Sequence, residues 1–300
     1  MKIRHLKDTD IEDLLGLCNR NLHYDQMTPE LLEEKVWEDK DFENDLALVV
    51  EHENNLVAFI MGLVRKNADE PLGYVKLIVV EEKYQRKGVG RRLLQAVEPM
   101  LLERGAKRVR VCESAPNYLT PGIDARYTRA MVFFEKNGYE RFGETWNMEA
   151  DLSREDFDTT AEEQKLKQQG IEIRRAIMGD LEDISRFLQQ HWPAWIEEVQ
   201  RSLLNYPISL HLALSEGKII AFSGYDCNNF NTGWFGPMGT DPQYRGLGIG
   251  GVLLRRCLAD IKKQGHRFAT IPWVGPIAFY LHYAGAEISR VFYRYQKHLA

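Results

Sequence analysis

Hydrophobic and polar positions repeat along this chain at long range. Ile3-Arg4 is followed by Asp10, Glu12 and Asp13, and the same residue types return 170 positions later as Ile173-Arg174, Asp180, Glu182 and Asp183. Tyr84, Gly88, Gly90, Leu93, Leu94 and Gly105 return 160 positions later as Tyr244, Gly248, Gly250, Leu253, Leu254 and Gly265. A solenoid repeats every ~20–50 residues, so this spacing reads as two copies of one domain. In each copy a short strand (3–7; 171–176) leads into an amphipathic helix (10–20; 180–190) with Asp at its N-cap. After a variable helical stretch come the strand-forming runs LALVVEHENNLVAFIMGLVR and LHLALSEGKIIAFSGYD, broken by turn signals at Asn54-Asn55 and Glu216-Gly217. Another strand enters a glycine-rich turn and a long helix. A strand (107–112; 267–273), a helix and a final strand close the copy. The pattern predicts an α/β fold with domains at 1–152 and 171–300. They are joined by SREDFDTTAEEQKLKQQG, residues 153–170, which is polar enough to read as a linker.

Composition narrows the possibilities. The 300 residues suit about two domains, and 44% hydrophobic with 11% aromatic residues excludes disorder for the bulk of the chain. A net charge of −5 lacks the basic signature of nucleic-acid binding, and none is expected. The start, MKIRHLKDTDIEDLL, has no apolar core and does not read as a secretory signal. The apolar run Leu56 to Val64, interrupted by Gly62, is too short for a membrane span of ~20 residues. Cys18, Cys112, Cys227 and Cys257 are widely separated and form no C-x-x-C pair, so no metal is expected and a reducing, cytoplasmic setting is.

The chemical signal is the glycine turn. Gln85-Arg86-Lys87-Gly88-Val89-Gly90 and Arg245-Gly246-Leu247-Gly248-Ile249-Gly250, extended by Gly251, both fit Q/R-x-x-G-x-G between a strand and a helix. Glycines let successive backbone N–H groups surround an anion, and the helix N-terminus adds partial positive charge. Residues 86–110 carry eight Lys/Arg against two Asp/Glu, and 245–267 carry six against one. The pattern calls for a phosphate or pyrophosphate at each turn. The dinucleotide fingerprint with its downstream acid is not kept, and no Walker A sequence occurs.

The runs VKLIVVEEKYQRKGVGRRLL and WFGPMGTDPQYRGLGIGGVLL resemble the central motif of the GNAT superfamily of acetyl-CoA-dependent N-acetyltransferases, and VFFEKNGY and AFYLHYAGAE are similar to its last helix. The resemblance covers nearly the whole chain. It implies two tandem domains, each with a mixed, mostly antiparallel central sheet flanked by helices, and acetyl-CoA bound along the glycine turn. It also implies a tyrosine on the last helix that protonates the departing thiolate. The first copy has Phe134 there and the second Tyr280, five residues before Gly285, with Tyr283 as a rival. The second copy is therefore expected to be the main active site, and the first to bind CoA and transfer poorly. For the base, Glu287 is favoured over Asp226, Glu197 and Glu198, because it and Asp260 are the sole acids in 251–300. Backbone at Met238, Gly239 and Thr240 is expected to hold the acetyl group and polarise its carbonyl. Trp192, Trp195 and Trp234 are expected to line the acceptor pocket. Runs such as NYLTPGIDARYTRA also resemble bacterial tandem GNAT proteins of the glucosamine or glucosaminide N-acetyltransferase type, which implies a small-molecule amine, an amino sugar, as acceptor. A mycothiol-type precursor, a protein amine or a non-catalytic acyl-CoA sensor are the alternatives.

Overall fold

The computed structural model describes residues 1–66 and 70–300. They divide into two compact units, Met1–Thr145 with Phe292–Ala300, and Trp146–Val291. In chain order the elements begin with β1 (Lys2–His5), α1 (Ile11–Asn21), α2 (Pro29–Lys35), β2 (Ala47–His52), β3 (Asn55–Lys66), β4 (Pro71–Val80), α3 (Val89–Glu103) and β5 (Arg108–Val111). There follow β6 (Ile123–Asp124), α4 (Thr128–Lys136), β7 (Glu140–Asp151), α5 (Thr160–Gln168), β8 (Ile171–Arg175), α6 (Leu181–His191) and α7 (Ile196–Ser202). The chain finishes with β9 (Leu210–Ser215), β10 (Lys218–Tyr225), β11 (Phe235–Thr240), α8 (Ile249–Lys263), β12 (Phe268–Ile271), α9 (Ile277–Ala284) and β13 (Glu287–His298).

In unit 1 the strands β1-β2-β3-β4 are antiparallel neighbours, and β4 then pairs parallel with β5. Helices cover both faces. Leu14, Leu17, Leu31 and Leu32 of α1 and α2 bury against Phe59 and Met61, while Leu93, Leu94, Val97 of α3 and Phe134 of α4 bury against Ile60, Val75 and Val109. Cover on both faces explains why β3 is apolar along nearly its whole length rather than alternating. The β4–β5 ladder ends at Val75 opposite Val111, so residues 76–80 of β4 continue without a partner from β5. The strands part there, and the site opens in that gap.

Unit 2 follows the same plan. Strands β8-β9-β10-β11 are antiparallel, and a single parallel bridge, Trp234 to Thr270, links the start of β11 to β12. Both hairpins turn on residues with positive φ: Glu53 (50°) and Asn54 (61°) in one, Glu216 (50°) and Gly217 (75°) in the other, the primed-turn geometry that matches strand twist. The first turn thus sits one residue earlier than Asn54-Asn55.

The repeated Ile-Arg…Asp signature has a common structure. Arg4 pairs with Asp10 at 2.7 Å, and Asp10 also accepts from the Lys7 N–H at 2.9 Å; Arg174 pairs with Asp180 at 2.7 Å, which accepts from the Ile177 N–H at 2.8 Å. Each Asp holds the N-cap position but makes no cap bond to its own helix. Its carboxylate ties the helix start back to the preceding strand instead.

The units differ from the expected division at 152 and 171. Residues 292–300 belong to unit 1, where Gln296, Lys297 and His298 pair with Arg110, Val109 and Arg108. Arg294 meets Glu113 at 2.6 Å, and Lys297 meets Glu98 at 2.7 Å. Residues 146–151 belong to unit 2, where Met148–Asp151 pair with β12. Alternating side chains show that a strand forms, but not which sheet edge accepts it. The expected linker lies wholly in unit 2. It carries α5, and Glu162 and Glu163 pair with Arg255 and Arg256 of α8 at 2.8 and 2.9 Å. Among the described residues no helix is long and apolar enough to cross a membrane.

Candidate functional site

Both glycine turns adopt one conformation. In unit 1 Arg86 (φ 59°) and Gly88 (φ 81°) are left-handed; in unit 2 the same positions are Gly246 (84°) and Gly248 (82°). Left-handed backbone costs a residue with a Cβ about 1–2 kcal/mol, so Arg86 is held there by its surroundings. The Gln85 amide donates to the Val80 carbonyl at 2.9 Å, and Arg245 Nε donates to Thr240 at 3.3 Å. These two side chains, expected to touch the ligand, brace each loop against the end of its strand.

The helices behind the turns leave donors free. The first intrahelical bonds run from the Arg92 N–H to Gly88 and from the Val252 N–H to Gly248. The N–H groups of Val89, Gly90 and Arg91, and of Ile249, Gly250 and Gly251, therefore have no partner within their helices. A Cβ built at Gly88, Gly246 or Gly248 would meet nothing within 4 Å. Open space, unpaired donors and a helix N-terminus fit a pyrophosphate. Gly90 and Gly250 serve packing instead: an added Cβ would stand 3.2 Å from Phe133 and 3.4 Å from Phe279. The basic surroundings are uneven. Arg86, Lys87 and Arg91 are exposed around the first turn, whereas Arg255 and Arg256 behind the second are already paired with α5.

In unit 1 a cleft of about 1100 Å³ joins the turn, residues 76–80 of β4, the loop after α1 and the inner face of α4. Groups that the sequence did not single out meet there. The Tyr127 hydroxyl donates to Asp25 Oδ2 at 2.8 Å and accepts from the Tyr24 N–H at 2.9 Å. The Arg126 guanidinium lies 3.9 Å from the centre of the Tyr24 ring and pairs with buried Asp124 at 2.7 Å. Lys76 also lines the cleft, yet its side chain is only 1% exposed and sits 2.5 Å from Asp39. Burial pushes Lys76 down to about 7. Burial opposes the Asp39 charge, but hydrogen bonds from Arg65 and the nearby Lys76 charge hold that carboxyl below its usual range. The run NYLTPGIDARYTRA contained three of these residues, but nothing in its spacing tied Tyr127 to Asp25.

In unit 2 Tyr280 is 8% exposed, its ring edge-on to Phe279 (5.1 Å) and Phe235 (6.1 Å). Burial pushes its phenol up to about 12. Tyr283 lies against Gly251. Glu287 is exposed at the start of β13, and among the described residues no hydrogen bond joins it to Tyr280. Met238, Gly239 and Thr240 pair with β10 on one side, and their other edge faces the parted strands. Trp192 stacks on Trp195 at 5.7 Å and 21°. Trp192 covers Gly239 so closely that an added Cβ would stand 2.7 Å from its ring. The structure thus brings Trp192, Trp195 and Gly239 together. Trp234 is buried at the bridge to Thr270. Among the described residues no His/Cys/Asp/Glu group is suited to a metal ion.

The model of the Acetyltransferase (GNAT) family matches residues 17–121 and 175–283. No curated protein sequence matches the chain. Among solved structures, the fold is similar to a GCN5-related glucosamine N-acetyltransferase region of a fungal multi-domain GH3 β-N-acetylglucosaminidase (TM-score 0.82, 18% identity, 98% of this chain). The chain spans 38% of that fungal protein. It is similar also to a tandem GNAT protein from the clavulanic acid biosynthesis pathway (TM-score 0.70, 14% identity, 99% of this chain and 98% of the other). A third likeness is to a GCN5-related N-acetyltransferase from Sphaerobacter thermophilus (TM-score 0.69, 19% identity, 99% and 95%).

Proposed function

The chain belongs to the acetyltransferase (GNAT) family, and on that premise we propose that it transfers acetyl from acetyl-CoA directly to a primary amine, an amino sugar first among them. The observation that carries this reading is the twice-built anion cradle, with three helix-start N–H groups free behind a left-handed glycine that opens onto space. A CoA pyrophosphate accepts from those donors, and the parted strands beyond give pantetheine a path to the acyl end.

In unit 2 the free edge at Met238–Thr240 supplies the donors for the acetyl carbonyl. In this reading Tyr280, with its phenol held protonated by burial, gives a proton to the departing thiolate. Glu287, exposed, is left to accept the amine's proton through water. The Trp192–Trp195 stack offers aromatic faces of the kind sugars rest on. The fungal relative's glucosamine region supports the choice of acceptor at the level of fold.

Thiol release from acetyl-CoA tests the reading, measured with glucosamine, an aminoglycoside and an N-terminal peptide in parallel. Glucosamine-dependent release is expected. Release with the peptide alone would move the acceptor to protein amines, and no release with any amine would contradict the enzyme.

A further inference from the structure

Unit 1 carries no phenol at the position of Tyr280, since Phe134 stands there, but it carries one at the entry to the last helix. Tyr127 precedes Phe134 by seven residues and stands at the N-cap of α4, just outside the helix, with non-helical backbone. Both line the cleft that also receives Gly88 and Gly90. The Tyr127 hydroxyl is aimed at Asp25, from the loop after α1, at 2.8 Å. The N-cap of the corresponding helix in unit 2 is Pro276, which has no hydroxyl. Unit 1 therefore carries its phenol at the entry to the last helix, whereas unit 2 carries one within that helix.

Resting on the amine-acetyltransferase reading above, we propose that unit 1 is a second transfer site, in which Asp25 takes a proton from a primary ammonium acceptor and Tyr127 gives one to the departing thiolate. The carboxylate draws the cationic acceptor to the cleft. The Tyr24 ring, 42% exposed beside it, carries the Arg126 guanidinium at 3.9 Å, which occupies that ring face and leaves Asp25 as the group that meets the acceptor. Asp25 removes one proton from the ammonium. The neutral nitrogen attacks the thioester carbon, the N–C bond forms and the C–S bond breaks. Tyr127 protonates the thiolate sulfur and recovers a proton from Asp25 along their hydrogen bond. The second nitrogen proton passes to solvent as the amide forms, so one ammonium and one thioester give one amide, one thiol and one released proton. Cys112 also lines the cleft, but burial pushes its thiol up to about 12, so it does not serve as a thiolate carrier and transfer is direct.

The test uses the full chain with the second turn blocked by Gly248→Glu, read by thiol release with glucosamine and an aminoglycoside and by calorimetry with acetyl-CoA. This variant is expected to keep releasing thiol. Adding Asp25→Asn, which keeps an acceptor for Tyr127 but cannot take the proton, is expected to lower kcat by about 10²-fold with acetyl-CoA affinity unchanged. Tyr127→Phe is expected to do the same. That variant also deprives the Tyr24 N–H of its acceptor, so Asp25→Asn decides the matter if Tyr127→Phe folds poorly. No release from Gly248→Glu, with full release from Gly88→Glu, overturns the proposal and leaves the acetyltransferase reading standing. Unchanged kcat in Asp25→Asn and Tyr127→Phe also overturns it. No release from the unsubstituted chain with either amine overturns both.

Discussion

Phe279 rests on Gly250, its ring 3.4 Å from where a Cβ would stand. This contact fixes the register of α9 against α8, and Phe133 on Gly90 fixes that of α4 against α3 in the same way. Tyr280 is therefore the counterpart of Phe134, although one more residue separates it from the glycine that ends its helix. The expected consequence is a loss of turnover in Tyr280→Phe. On a Gly88→Glu background, which isolates unit 2, kcat should fall by about 10²-fold or more with acetyl-CoA affinity unchanged. An unchanged rate would remove Tyr280 from the chemistry.

Trp192 and Gly239 are a matched pair, a large ring admitted because the strand beneath it has no side chain. Gly239→Ala should destabilise unit 2 by about 1–3 kcal/mol through overpacking. The cost should largely disappear on a Trp192→Ala background, since contacting residues couple. Denaturant titration of the four variants checks this. Additive losses would mean that the ring does not bear on Gly239.

The glycine turns were legible in the sequence because they need particular φ values and unpaired N–H groups, which few residue combinations supply. The hairpins and the Ile-Arg…Asp repeats were legible for similar local reasons. What closes each sheet was not. Residues 146–151 alternate in side-chain character and 292–298 mix aromatic and polar residues without strict alternation, and only long-range partners such as Glu113 for Arg294 and Glu98 for Lys297 decide where the second segment pairs. The basic character of 245–267 misled in the same way. Part of it answers the acids of α5 rather than a ligand. The Asp25–Tyr127 pair joins residues 102 apart, a distance over which spacing carries no signal.

The α5 contacts make the segment between the repeats a docked element. Glu162→Gln with Glu163→Gln removes its ion pairs to Arg255 and Arg256, and limited proteolysis should then cut within residues 153–170 several times faster. An unchanged cutting rate would mean that burial of Phe157 and Leu166 and the bonds from Arg255 and Lys262 to its backbone hold the segment without those ion pairs.

A buried network in unit 2 sets its acid stability. Arg256 Nε donates to His211 Nδ1 at 3.1 Å, which leaves His211 Nε2–H to donate to Asp260 at 2.7 Å, and Arg175 adds a bond to Asp260 at 2.6 Å. Burial holds His211 below its usual value. Burial works against the Asp260 charge, yet His211 and Arg175 bring it down to about 2. The folded state thus binds fewer protons than the unfolded chain at acid pH. Stability is full at neutral pH, declines as unfolded His protonates below about pH 6.5 and falls further between about pH 4 and 2, where Asp260 contributes about 2 kcal/mol. Asp260→Asn should flatten the lower part of that decline in a pH series of thermal melts. An equal decline in the variant would place the acid sensitivity elsewhere.

If each glycine turn holds one CoA pyrophosphate, calorimetric titration with acetyl-CoA counts both of them. Two equivalents are expected to bind per chain, with one lost in Gly88→Glu and one in Gly248→Glu, because either substitution puts a carboxylate into the open cradle at a left-handed position. Unchanged stoichiometry and affinity in both variants would contradict that occupancy.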